Sequence, residues 1–247
     1  MPSKALTPYS WLTENPLRSD EQLYAVISCA SDADPLTAYR QSGNNRPAMA
    51  LWADTPYADW LPVMPYLLAL PCDSAFLAWV AETDAQDWGW LAISSATPEH
   101  IAEHLRSLTQ VRLPNSEAVF LRFWDGRHFL PLLEQLGRQA RDVLPVFDRY
   151  WVNGQSVVTG QGPIRPALPF PWWEVPQNLL NSLADKDAST VIDNLMQWLK
   201  ETHTHLYFST PELSLRQKVE HCVRLEPSSS THISEHLLAH LQQEIGQ

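Results

Sequence analysis

The spacing of apolar positions changes character along the chain, and each change marks an element. Trp88–Ser95 (WGWLAISS) is apolar on both alternating sides, with Trp88, Trp90 and Ala92 on one and Leu91 and Ile93 on the other, the pattern of a strand covered on both faces. Thr97 is a good N-cap, and Pro98 sits at the first helical position, where its missing N–H is harmless. Ile101, Leu105 and Leu108 then recur at helical spacing and give that helix one apolar face. Val119, Leu121 and Phe123 alternate with Phe120, Arg122 and Trp124, which predicts a second strand over 117–125. Strand, helix and strand at this spacing predict a βαβ unit.

The flanks extend the pattern. Leu23–Cys29, Ala48–Trp52 and Tyr66–Leu70 read as strands. Asp34–Ser42 reads as a short helix ended by Gly43, and a helical turn over 56–61 is capped by Thr55. Asp73 is positioned to cap a helix carrying Phe76, Leu77, Val80 and Ala81, and Phe129, Leu132, Leu133 and Leu136 mark another. Val146–Val152, behind Pro145, suits an edge strand. Residues 1–20 are polar and proline-containing, the pattern of a loosely attached arm that carries Trp11. Residues 21–152 therefore predict a mixed α/β (α+β) domain, with a mixed sheet, βαβ units and short covering helices. Over 153–171 Gly154, Gly160 and Gly162 give way to Pro163, Pro166, Pro169 and Pro171, which predicts a connector. Residues 172–247 return to helical spacing, through Val191, Leu195, Trp198 and Leu199, then Leu215, Val219, Cys222 and Val223, then Ile233, Leu237, Leu238, Leu241 and Ile245. They predict a smaller, mainly helical region.

Composition narrows the possible partners. The 247 residues carry a formal net charge of −11, which argues against nucleic acid and against anionic membrane surfaces as partners. Eleven Trp and twenty Pro beside eight Gly supply large anchors and stiff connections, but few of the glycine turns that phosphate loops use. The three cysteines, Cys29, Cys72 and Cys222, are scattered and form no C-x-x-C pair, so neither a disulfide framework nor a cysteine zinc site is expected. The N-terminal stretch has no apolar signal region, and no run approaches the roughly twenty apolar residues of a membrane helix. A soluble, reduced, cytoplasmic protein is expected.

The sharpest chemical pattern is H-x-x-E-H, which occurs at His100, Glu103 and His104 and again at His232, Glu235 and His236. Two His one helical turn apart grip a metal and the Glu serves as base, so a metal-dependent hydrolase is one reading. Against it, no third ligand is identifiable, and His100 and His104 start beside the core stripe on a wetter face. His240 extends the second pair into a row that suits a solvated face. Asp125 and Arg127, flanking Gly126, read either as a catalytic pair or as hydrogen-bonding ties of a turn, and the second is favoured. Cys29 reads as a small core residue. No G-x-S-x-G elbow, P-loop or dinucleotide fingerprint is present, so no enzyme, metal or cofactor is expected. The aromatic run Phe170, Trp172 and Trp173 reads either as protein-binding anchors or as packing against the preceding domain.

The ordered motifs LYAVISCA, YRQSG, AMALWADTPYADWLPVMPYLLAL, DSAFLAWVAE, WGWLAISS, TPEHIAEHLRSLTQVRLPNSEAVFLRFWDGR and VFDRYW resemble the effector-adaptor (Tap, or TEC) family of bacterial type VI secretion over roughly residues 20–152. The resemblance rests on motif order, with Trp88, Gly89, Arg106, Arg122, Asp125 and Arg127 as its structural positions. The chain departs from the family pattern at Leu121, at Gly126, where Pro is common, and in the Leu113–Glu117 hairpin, which lacks an Asp-Gly turn. The resemblance implies a non-enzymatic adaptor chaperone that binds one cognate secreted effector in the cytoplasm and helps load it onto the VgrG spike, with no catalytic residues and a C-terminal region tailored to its cargo. Phe170, Trp172 and Trp173 are the candidate partner contacts. An immunity protein that neutralises a toxin is a further reading, separated from an adaptor by VgrG binding.

Overall fold

The computed structural model describes residues 5–43, 46–186, 192, 195–196, 198–200, 202–208, 210–225, 234, 237–239 and 241. The chain forms two compact units, Met1–Pro176 and Gln177–Gln247. The first is mixed α/β. Its helices are α1 (Pro8–Glu14), α2 (Pro35–Gln41), α3 (Phe76–Glu82), α4 (Pro98–Ser107), α5 (Gly126–Leu136) and α6 (Ala140–Val143). Its strands are β1 (Gln22–Ser28), β2 (Met49–Ala50), β3 (Pro65–Leu70), β4 (Gly89–Ser94), β5 (Gln110–Arg112), β6 (Ala118–Phe120), β7 (Arg149–Val152) and β8 (Gln155–Val158). Six strands form one sheet in the order β2-β3-β1-β4-β7-β8, and β5 and β6 form a separate two-stranded sheet.

Every ladder in these sheets is antiparallel. The expected βαβ unit is therefore corrected. β4 and α4 are as predicted, but the chain then turns directly into a hairpin, β5 to β6, and β6 ends at Phe120. The expected strand stops there because Leu121–Asp125 turns toward α5, whose N-cap is Asp125. The Leu113–Glu117 loop closes the hairpin, with Leu113 N–H donating to the Glu117 carbonyl.

One sheet face is built from cross-strand neighbours: Leu23 opposes Leu70 and Ile93, Ala25 opposes Leu68 and Leu91, and Leu91 opposes Trp151. Trp11 of α1, Tyr39 of α2 and Phe76, Leu77 and Val80 of α3 cover it as one buried cluster. The other face carries Trp90 and Tyr150, packed against Phe129 of α5 and against Phe147. Trp88 belongs to the first of these faces, not to the face of Trp90 as simple alternation predicts. The cause is Gly89, whose φ of +142° breaks the pleat and lets the backbone approach β1; a Cβ there would lie 2.0 Å from the Val26 carbonyl oxygen.

Four further expectations change. Residues 5–20 are no loose arm: α1 is capped by Thr7, Trp11 is fully buried, and its indole Nε1 donates to Ser156 Oγ. Asp73 does not cap α3; the Phe76 amide donates to Ser74 Oγ instead. β7 is an interior strand, because β8 pairs with it through the Asn153-Gly154 turn, both residues at positive φ. The predicted connector thus contributes the edge strand β8, and the first unit runs on to Pro176.

The second unit contains α7 (Gln177–Lys186), α8 (Thr204–Phe208) and α9 (Glu212–Leu225). Its core gathers Leu195, Leu199, Leu215, Val219, Cys222, Leu237 and Leu241, positions whose helical spacing marks them in the sequence, together with Leu206 of α8. Among the described residues no helix is long and apolar enough to cross a membrane.

Candidate functional site

The segment between β2 and β3 (WADTPYADWLPV) is too rich in Pro and Asp for regular structure and too aromatic to be an inert loop. It leaves β2 with Trp52 fully buried and its indole Nε1 donating to Thr109 Oγ1 at 3.2 Å. Thr55 shapes the turn that follows, its hydroxyl donating to the Trp52 carbonyl at 2.9 Å and accepting from the Tyr57 amide at 3.1 Å. A 3₁₀ turn over Leu61–Val63 returns the chain to β3. From α4, Arg106 donates through Nε to the Leu51 carbonyl at 2.6 Å and pairs with Asp54 at 3.4 Å, fixing the start of the loop.

So held, the loop stacks its rings on the β5–β6 hairpin. Trp52 meets Trp124 edge-on at 5.0 Å and Phe120 at 6.1 Å. Tyr57 meets Phe120 at 4.9 Å, and Trp60 stacks on Phe120 with centroids 5.5 Å apart. Burial is graded across this cluster: Trp52 is 1% exposed and Trp124 6%, but Trp60 is 46% exposed, Leu61 63% and Val63 37%. The result is an aromatic shelf with a rigid buried floor and an open apolar rim. Aromatic side chains fixed in this way lose little entropy on binding, which is why they dominate protein interfaces.

Residues 159–176 run as a strap beside the shelf. His104 Nε2 lies 2.8 Å from the Arg165 carbonyl; a carbonyl only accepts, so that nitrogen carries the proton. Trp172 Nε1 donates to Ser107 Oγ at 3.2 Å. The Arg112 amide donates to the Trp173 carbonyl at 2.9 Å and the Val175 amide to the Arg112 carbonyl at 2.8 Å, so the strap joins the outer edge of β5. Trp173 is buried at this join, and it packs within its own unit rather than offering an anchor. Phe170 is half-buried, 6.4 Å from Tyr57, and lines with Leu168 a shallow cavity over Glu103, Arg106 and Ser107. Of the three aromatic residues singled out from sequence, Phe170 reaches the shelf, Trp172 ties the strap down and Trp173 is core. The signal that marks the shelf itself is three large aromatic residues, Trp52, Tyr57 and Trp60, crowded into a Pro- and Asp-containing segment.

The H-x-x-E-H reading fails at its first copy. His104 is buried, not wet, and donates Nε2–H to a carbonyl; burial holds its pKa below the usual value, so the ring is neutral. His100 is exposed and contributes no second ligand to a closed site. Among the described residues no group of three His, Cys, Asp or Glu is placed to hold a metal ion. His232, Glu235, His236 and His240 lie outside the described residues.

Asp125 and Arg127 form a clamp. The Asp125 carboxylate is 1% exposed and accepts from the Arg127 amide at 3.0 Å, from Arg127 Nη2 at 2.9 Å and from Arg122 Nη2 at 3.0 Å. Arg127 continues to Asp87 at 3.3 Å, and Asp87 accepts from Ser31 Oγ at 2.8 Å. Guanidinium and amide donors thus occupy both carboxylate oxygens, which ties down the turn into α5 and leaves no open face toward a substrate. Gly126 lets the clamp sit close to β4, since a Cβ there would lie 2.7 Å from the Gln86 and Gly89 carbonyl oxygens. Of the motif positions, Gly89, Asp125 and Arg127 thus serve one junction, Arg122 joins its rim, Arg106 anchors the shelf loop and Trp88 is core. Cys29 is half-buried, with its thiol pushed up to about 11 by burial and by Asp34.

Residues 23–142 match the model of a family described as a domain of unknown function (DUF4123), a little under half of the chain. No curated protein and no solved structure matches the chain.

Proposed function

We propose that this protein is a non-enzymatic adaptor chaperone that binds a secreted effector in the cytoplasm and presents it to a VgrG-type spike protein. The observation that carries this reading is the aromatic shelf: Trp60, Leu61 and Val63 stand exposed on a buried floor of Trp52 and Trp124 beside Phe120 and Phe170. Apolar rings left open and rigidly supported mark a surface that another protein covers. The motif resemblance over 20–152 and the family match over 23–142 fall on the same unit as the shelf. The net charge of −11 suits a basic protein partner.

Co-expression of the tagged protein with candidate effectors and VgrG, followed by light scattering of the eluted complex, tests the reading. The expected result is a stable complex with one effector that also recruits VgrG and weakens when Trp60 is replaced by Ala. A complex that forms without VgrG and abolishes the toxicity of its partner would replace the adaptor with an immunity protein. Failure to bind any effector would overturn the proposal.

A further inference from the structure

The β5–β6 hairpin has two edges, and among the described residues only one is paired. Arg112 turns its backbone groups away from β6, where they pair with Trp173 and Val175 of the strap. In an antiparallel ladder, opposed residues alternate between pairs that bond each other and pairs whose groups point outward on both sides. The Leu113 N–H donates to the Glu117 carbonyl and the Leu121 N–H to the Thr109 carbonyl, which sets the alternation, so Arg112–Ala118 and Gln110–Phe120 are the outward-pointing pairs. The N–H and C=O groups of Ala118 and Phe120 therefore face away from β5, and among the described residues nothing pairs with them.

This free edge borders the shelf. Phe120 carries the ring on which Trp60 stacks, and Ala118, on the same face of β6, is exposed and too small to obstruct a neighbouring chain. Unpaired strand groups beside an apolar surface select an extended peptide, whose backbone completes the ladder while alternate side chains settle on the rings. The rim selects charge: the 51–63 loop holds Asp54 and Asp59 and no Lys or Arg, and the exposed Glu117 precedes β6. Of the nearby cations, Arg106 is paired with Asp54 and Arg122 with Asp125, and Arg112 stands in register with Glu174. The strap shows that this hairpin accepts an added segment, since residues 173–175 already occupy its other edge.

We infer that the outer edge of β6 is a strand-addition site, at which an extended segment of the protein partner, apolar at alternate positions and flanked by Lys or Arg, pairs with Ala118 and Phe120 and lies against Trp60. This deepens the adaptor reading by naming how the shelf recognises its cargo, and it rests on that reading only for the identity of the cargo.

The test uses the full chain and a labelled synthetic peptide of alternating Val and Thr with paired Lys at each end. Controls are the same peptide with Glu for Lys and one with a central Pro. Ala118→Pro removes an outward N–H and no bond to β5, so it blocks addition while leaving the hairpin ladder intact. The expected result by fluorescence anisotropy is binding of the Lys-flanked peptide, weakened on the order of tenfold by Ala118→Pro or by the Pro interruption, the loss set by two or so backbone hydrogen bonds. Hydrogen exchange on the wild type gives a second measure that does not depend on the variant folding: the Ala118 and Phe120 amides are expected to gain protection when peptide is bound. No binding by the wild type, equal binding of the Pro-interrupted peptide, or unchanged exchange at both amides would overturn the inference. The effector complex separates the two proposals. Effector binding undiminished by Ala118→Pro rejects strand addition and leaves the adaptor. Peptide binding without effector binding rejects the adaptor and leaves the edge.

Discussion

The first unit holds two aromatic clusters, and they differ in what surrounds the rings. Around the sheet, Trp11, Trp88 and Trp90 are at most 1% exposed, each enclosed by helix on one side and strand on the other. In the shelf, burial falls away across neighbouring rings, from Trp52 at 1% to Trp60 at 46%. The sheet cluster is a core in which each ring's neighbours are fixed by cross-strand register. The shelf is a core left open on one side, in which the inner rings do for the outer ones what a sheet does for its side chains. The comparison teaches that the abundance of Trp here has two physical origins, and that exposure on a buried floor, not aromatic content, is what singles out the surface proposed to bind a partner.

The contrast breaks most sharply at the sheet. Trp90→Ala is expected to destabilise the protein by about 3–5 kcal/mol, because it empties a site packed by Phe129, Phe147 and Tyr150. Urea denaturation followed by intrinsic fluorescence measures it, and a loss comparable to that of a surface change would mean the two clusters are not different in kind. Next in size is the clamp at the start of α5. Breaking a fully buried ion pair costs about 3–5 kcal/mol, but Arg122 and Arg127 are half in water, so Asp125→Asn is expected to lose about 2 kcal/mol. Trp60→Ala reverses the pattern: stability changes by less than about 1 kcal/mol, while effector affinity falls by about tenfold or more. Calorimetric titration against the effector, set beside the denaturation curve, reads both. Equal effects of Trp60→Ala on folding and on binding would return the shelf to the status of core.

The same contrast explains what was legible in the sequence. Elements held by short-range chemistry could be read directly: Thr97 and Pro98 opening α4, Gly43 closing α2 and the apolar face of α5 all rest on local rules. Strand direction could not, because an apolar run predicts burial but not which neighbour covers it, and the antiparallel sheet follows from pairings such as β1 with β4 between segments far apart in the sequence. The face switch at Trp88 depends on one glycine's φ, which no alternation pattern contains. The shelf was hidden for a related reason. Its rings come from the 51–63 loop, the β5–β6 hairpin and the strap, and only tertiary structure brings Trp60 onto Phe120. Trp172 and Trp173 drew attention through adjacency along the chain, yet adjacency placed one on Ser107 and the other in the core.

The smallest effects are electrostatic and concern the strap. His104 is held neutral by burial, and its pKa lies below the ordinary 6.5 despite the Arg165 carbonyl and Glu103 pulling the other way. A group whose folded pKa is depressed contributes stability that is present above the unfolded value and lost as pH falls toward the folded one. The strap's attachment at His104 is therefore expected to weaken below about pH 6.5, and His104→Gln to remove that dependence while keeping a donor to the Arg165 carbonyl. Hydrogen exchange across 159–176 at pH 7.5 and 5.5 measures it; identical slopes in wild type and variant would reject His104 as the cause.

Thiol reactivity gives the finest comparison of enclosed and open surface. Cys29 is half-buried with its pKa pushed up to about 11, first by burial and then by Asp34, whereas Cys72 is exposed and raised less, by partial burial and Asp73. Only the thiolate is alkylated, so at pH 8 iodoacetamide is expected to modify Cys72 well before Cys29, whose labelling rate should keep rising as the pH approaches 11. Peptide mapping of the partly alkylated protein reads the order directly. Prior or equal labelling of Cys29 at pH 8 would mean that the end of β1 opens far more readily than its packing indicates, and that the boundary drawn between closed core and open shelf is misplaced there.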